Sequence, residues 1–147
     1  MKSPSRFPLF VDLNGKKAVV VGGGAVAARR VEVLGRFGAE VTVISPTWAG
    51  TGCAWVPRAY APGDLEGAFL AVAATDDRAV NRAVGEEAGR LGIPVSVSDC
   101  KDECTFYFPA VCAGGGVVAG VVSAQGEDHR RTAAAARRIR ETLEGME

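Results

Sequence analysis

The stretch Lys17–Ala27, KAVVVGGGAVA, constrains the fold more than any other part of the chain. An apolar run, Ala18–Val21, breaks off at Gly22, Gly23 and Gly24, and a helical pattern opens directly after it. The spacing Gly22-x-Gly24-x-x-Ala27 fits a dinucleotide-binding turn between a strand and a helix, with Ala in the last slot. Each position has a physical task. Gly22 permits the tight turn, Gly24 lets a pyrophosphate come up to the backbone, and Ala27 is small enough for the helix to pack on the strand. The free N–H groups at the helix start then face the phosphates. A tight turn with no ligand is the plainer alternative. The strand before it and the helix after it favour a nucleotide site.

The chain around this turn reads as alternating strands and helices. Phe7–Leu13 is apolar and is expected to lie against the sheet edge, and Asn14-Gly15 marks a turn before the first strand, Lys17–Val21. A helix over Ala25–Phe37 places Val26, Val33 and Phe37 on one stripe and Ala27, Val31 and Leu34 on an adjoining one, the face a helix lays on a parallel sheet. Gly38 closes it. Glu40–Ser45 is the second strand, stopped by Pro46, and the crossover between the two is expected to be right-handed. No Asp or Glu follows that strand to hold ribose hydroxyls, and no Arg stands there for a 2′-phosphate, so side chains leave NAD and NADP open.

Trp55-Val56 reads as a short third strand, with Trp48 and Trp55 packing under a loop, and Asp64–Gly67 as a helical turn. Ala68–Ala74 is a buried strand ending in Thr75-Asp76-Asp77, and a helix follows to about Leu91 with Thr75 or Asp76 as its N-cap. Ligands of open parallel sheets sit beyond the carboxyl ends of the strands, so Thr75 is either a cofactor contact or that cap. Ile93–Val97 is the next strand and ends at Ser98-Asp99. Asp99 is thereby a catalytic candidate, with a turn residue as the alternative.

The pattern then changes. Thr105–Cys112 and Val117–Ser123 read as two strands of a hairpin around Gly114-Gly115-Gly116, and Asp128–Leu143 as a helix rich in Ala and Arg. The expected fold is α/β: a Rossmann-like parallel sheet over residues 1–104, then a small β-hairpin plus helix over 105–147. The second part buries little alone and is expected to pair across a twofold axis as a homodimer. A chain of 147 residues, 48% hydrophobic, suits one domain with a small appendage.

The net charge of +0 draws the chain to neither nucleic acid nor membrane, and no apolar run approaches a bilayer span. The N-terminus has no continuous apolar core and reads as no signal peptide. With four Cys and no dense disulfide framework, a cytoplasmic location is expected. Cys100 and Cys104, with Asp102 and Glu103 between them, fall short of a metal-ligand set, because the lone His is His129, so no metal site is expected. Arg130, Arg131, Arg137, Arg138 and Arg140 form a locally basic region, which is either a solvated helix face or a place for a polyanionic substrate.

Several stretches together resemble the precorrin-2 dehydrogenase/sirohydrochlorin ferrochelatase family, the N-terminal module of siroheme synthases. They are Phe7–Phe10 with Leu13, Val21–Ala27 with Arg29, Val41–Thr47, Ala73–Asp77 with Val80-Asn81, and Ser98-Asp99 followed by Thr105-Phe106 and Pro109. The resemblance covers about residues 7–123. It implies oxidation of precorrin-2 to sirohydrochlorin with NAD as cofactor, a tetrapyrrole as substrate and, in many members, insertion of ferrous iron in the same cleft. It makes Asp99 the key residue of both steps. It makes Ala25, Val26, Pro46 and Thr47 NAD contacts beside Gly22, Gly24 and Thr75. Ser123 matches a residue near the macrocycle, and the macrocycle's carboxylates give Arg130 and its neighbours a purpose. Two departures stand out: the charged stretch Ala124–Arg131 lacks the family's Pro, and the chain ends where typical members continue into a helical domain. A short form is therefore expected. A non-catalytic tetrapyrrole- or nucleotide-binding partner protein is the alternative function.

Overall fold

Strand β1 (Lys17–Val21) runs through the middle of a five-stranded sheet. Ala18 to Val21 are buried, so the run is apolar on both faces, as a strand covered on both sides requires. The computed structural model describes residues 4–146. With β2 (Glu40–Ile44), β3 (Ala54–Val56), β4 (Leu70–Ala73) and β5 (Val95–Val97), the order is β3-β2-β1-β4-β5, and every pairing is parallel. β1 pairs with β2 from Lys17 opposite Glu40 to Val21 opposite Ile44, and with β4 from Ala18 opposite Leu70 to Val21 opposite Ala73. That register is why β4 begins at Leu70 rather than at Ala68.

Helix α1 (Ala25–Arg36) carries the chain from β1 to β2, and α2 (Arg78–Leu91) from β4 to β5. Of the two stripes expected on α1, only Ala27, Val31 and Leu34 are buried. Val26 and Val33 are half-buried and Phe37 is exposed, because one stripe is all that a helix lays on a sheet. Gly38 at φ 85° closes the helix, with its own N–H on Gly35 O and the Ala39 N–H on Leu34 O.

Other expectations shift. Trp55 is exposed rather than packed under a loop, and its indole N–H donates to Ser45 O at 2.8 Å, pinning the end of β2. Residues 62–67 form a run of turns longer than the single turn expected over Asp64–Gly67, and they carry Leu65 fully into the core.

The chain divides into two compact units: Val11–Phe106, and the described residues through Phe10 together with those from Tyr107 on. In the second unit, β6 (Ala110–Gly114) and β7 (Val117–Val121) pair antiparallel, and Gly114 faces Val117 across the turn Gly115-Gly116. Both turn residues have positive φ, 55° and 76°, which only glycine supplies without strain in a two-residue hairpin turn. The first hairpin strand starts at Ala110, not Thr105. Thr105 is taken up by β5, whose Val95 N–H donates to Thr105 Oγ1 at 2.9 Å. Helix α3 (His129–Glu144) is capped by Asp128 and packs Ala136 and Leu143 on Cys112.

The opening apolar segment is not packed down as expected: Phe7, Leu9 and Phe10 are 85, 77 and 72% exposed. Just before it, Arg6 stacks 3.7 Å from the Tyr107 ring centre and donates to Ser123 O at 3.1 Å. No described helix is long and apolar enough to cross a membrane.

Candidate functional site

The strand order reverses between β1 and β4, and a crevice opens beyond their carboxyl ends. The three glycines at the end of β1 serve different purposes there. Gly22 has φ 130°, and a Cβ on it would stand 2.3 Å from Ala74 O; a Cβ on Gly23 would stand 1.9 Å from Thr47 O. The protein's own packing demands both. Gly24 is extended (φ −88°, ψ −165°), and a Cβ there would meet no protein atom within 4 Å. A side chain at Gly24 would project into the open cleft rather than into protein. Gly24 is also the N-cap of α1 and offers no side-chain cap, so the first N–H groups of the helix remain available to an anion. These features fit the phosphates of a dinucleotide.

The cleft has a volume of about 450 Å³. Gly24, Ala25, Val26, Arg29 and Arg30 form the helix side, and Ala74, Thr75, Asp76 and Ser98 the side from β4 and β5. The β4 rim is held rigidly. Asn81, fully buried on α2, accepts from Thr75 N at 3.0 Å and from Thr75 Oγ1 at 2.7 Å, and its amide donates to Thr75 O at 3.0 Å. Neither Thr75 nor Asp76 is the helix cap. That task falls to Asp77, whose carboxylate accepts from Ala79 N and Val80 N. Thr75 is thus a cleft residue with its hydroxyl engaged by Asn81.

Asp99 follows Ser98 at the end of β5, in a turn outside the cleft lining. Its carboxylate accepts from Arg78 Nη1 at 2.6 Å, and the same guanidinium also holds Glu103. The two carboxylates keep the Arg78 guanidinium above its ordinary range despite the opposing effect of burial. Sequence reasoning missed Arg78, because the pair spans 21 positions. It also missed Arg30 and Asp76 as cleft residues. Pro46 and Thr47 lie exposed after β2 and outside the lining, although the Thr47 carbonyl abuts Gly23. Cys104 is a loop thiol bonded to the β5 backbone, accepting from Val97 N at 3.1 Å. Among the described residues, no group of three or more His, Cys, Asp or Glu could hold a metal ion. Ser123 and Arg130 belong to the second unit: Ser123 Oγ accepts from Gly126 N and Glu127 N, and Arg130 is exposed on the first turn of α3.

The glycines make a sharp contrast in mutants. Gly22→Ala should lower the melting temperature by about 5 °C or more, the strain and clash together costing about 2 kcal/mol. Gly24→Val should cost only about 1 kcal/mol, from the poorer helix cap, yet weaken nucleotide binding by about tenfold or more. Thermal melts and nucleotide titrations check both. Equal melting losses in the two variants would refute the division of labour.

A family model described as "Putative NAD(P)-binding" matches residues 9–110. "Probable multifunctional siroheme biosynthesis protein HemA" of Ruminiclostridium josui is 42% identical over 143 residues, 92% of this chain and 28% of that protein. "Siroheme synthase" of Azotobacter vinelandii is 40% identical over 114 residues, 71% of this chain and 24% of that one. The solved structure of "SirC, precorrin-2 dehydrogenase" superposes with a TM-score of 0.70 at 26% identity, over 95% of this chain and 70% of that chain. The chain spans less than a third of the length of these two curated relatives. Because the family match takes in the whole parallel sheet and every residue lining the cleft, the chain belongs to this NAD(P)-binding family.

Proposed function

We propose that the chain binds NAD in the switch-point cleft and oxidises precorrin-2 to sirohydrochlorin, a step of siroheme biosynthesis. The observation that carries this reading is the junction at the end of β5: Ser98 lines the nucleotide cleft and Asp99 is the next residue. The similarity to siroheme synthases and to a precorrin-2 dehydrogenase supports the substrate. Gly22, Gly24, Ala25, Val26 and Thr75 hold the cofactor, with Pro46 and Thr47 beside its adenosine. Bound NAD supplies the hydride acceptor. Asp99 accepts the proton that the macrocycle also loses, so the hydride's two electrons and both hydrogens are accounted for. Ser123 and Arg130 contact the macrocycle, and residues 105–147 form a homodimer interface. The same reading makes the protein a cytoplasmic enzyme, with ferrous iron as the substrate of a second step in this cleft.

Purified protein given precorrin-2 and NAD should form NADH and sirohydrochlorin in equal amounts, and added ferrous iron should then yield siroheme. NAD binding without NADH formation, where a full-length siroheme synthase turns over, would refute the dehydrogenase and leave a binding protein.

A further inference from the structure

Charge is unevenly placed around the cleft. Its basic residues, Arg29 and Arg30, stand on the α1 side, and Asp76, the one acid of the lining, stands on the opposite side beyond the end of β4. Asp76 is exposed, and among the described residues no hydrogen bond or ion pair engages its carboxylate. Its backbone is nevertheless fixed from both sides. The Thr75 N–H donates to Asn81 Oδ1 at 3.0 Å, the Asp77 N–H donates to Thr75 Oγ1 at 3.1 Å, and the Asp77 carboxylate caps α2. A positioned carboxylate with no protein partner repels a ligand that is only anionic. It suits a ligand that has a positive end as well.

The strand order fixes where that end lies. In the order β3-β2-β1-β4-β5, a dinucleotide with its pyrophosphate at the start of α1 carries its adenosine on the β2 side and its nicotinamide on the β4 and β5 side. Asp76 is on the nicotinamide side. The oxidised nicotinamide ring bears a positive charge, and a hydride added to it removes that charge. We propose that Asp76 is a specificity-determining residue that makes the cleft prefer the oxidised cofactor: its carboxylate attracts the ring of NAD and loses that attraction in NADH. Reduction of the cofactor then loosens it, which favours exchange of NADH for a new NAD. The role rests on the nucleotide reading of the cleft and not on precorrin-2 oxidation.

Equilibrium titrations of NAD, NADH and ADP-ribose into the full chain and its Asp76→Asn and Asp76→Glu variants test this role. ADP-ribose keeps the pyrophosphate and both riboses and lacks only the nicotinamide. In Asp76→Asn the preference for NAD over NADH should fall about tenfold, through weaker NAD binding, and the fall should shrink at high salt. ADP-ribose affinity should not fall, and Asp76→Glu should keep most of the preference. An unchanged ratio of NAD to NADH affinity in Asp76→Asn overturns the proposal. An equal loss for all three ligands overturns it too, and makes Asp76 a partner of the ribose hydroxyls. A wild-type chain that binds none of the three refutes the nucleotide cleft itself, and the role of Asp76 with it. Because only binding is read, each outcome is independent of whether the chain turns over precorrin-2.

Discussion

Replacing Asp99 with Asn should lower precorrin-2 turnover by at least about 100-fold, the range lost when a positioned proton acceptor is removed. NAD affinity and the melting temperature should barely change. The argument turns on where the carboxylate sits. Asp99 stands at the end of β5, next to Ser98 of the cleft, and its partner is Arg78 at 2.6 Å. Both side chains of that pair are substantially exposed, and exposed ion pairs add little to stability. A large loss of turnover in Asp99→Asn therefore has no folding explanation. Asn keeps the shape and removes the charge that, in the proposed reaction, takes the proton. Arg78→Gln is the comparison: it releases Asp99 and Glu103 without deleting either, and should cost less than about tenfold. If Arg78→Gln matched the loss, the surface tie and not the carboxylate would be responsible. Wild-type turnover in Asp99→Asn would remove the residue from the chemistry.

What was legible in the chain was whatever local pattern alone determines. The apolar run before Gly22, the helix opening just after Gly24 and a hairpin turn within Gly114-Gly115-Gly116 each follow from residue type and neighbours, and each appears where its pattern places it. Three near-equivalent residues in Thr75-Asp76-Asp77 were harder. The cap is settled by Asn81 six positions on, which occupies the Thr75 hydroxyl and leaves Asp77 to meet the helix N–H groups. Likewise both stripes of α1 satisfy helical periodicity, and only packing on the sheet selects Ala27, Val31 and Leu34. Arg78 with Asp99, and Trp55 with Ser45, are tertiary pairings that no local periodicity encodes. The cleft itself was half legible. Its glycines follow a spacing, whereas Asp76 and Arg30 enter it through the placement of β4 against β1.

Glu87 is the extreme case of what tertiary structure adds, and it carries the largest expected loss of stability. Helical pattern alone gives a glutamate on α2 no reason to be inside, yet Glu87 is only 3% exposed. Its carboxylate accepts from Gly63 N and Leu65 N, both at 2.9 Å, and from the Tyr60 hydroxyl. It thereby fastens the 62–67 turns to α2 and seats Leu65 in the core.

Burial alone would raise the Glu87 carboxyl, but these three donors and nearby Arg90 outweigh it and hold the group below its ordinary range, while the Tyr60 hydroxyl is driven above its own. Glu87→Ala strands two backbone N–H groups and should cost about 3 kcal/mol, or roughly 6–12 °C in melting temperature. Tyr60→Phe removes one donor and should cost about 1 kcal/mol.

The sign of the pH effect follows from the lowered carboxyl. Its contribution is complete above the unfolded-state value of about 4.5 and disappears as pH falls through the lower folded value. The wild-type chain should therefore lose stability through this acid window, and Glu87→Gln should lose less over the same range. Denaturant melts from neutral to acid pH measure the difference. Parallel curves for wild type and Glu87→Gln would mean that the buried carboxylate is not the group holding the turns to α2.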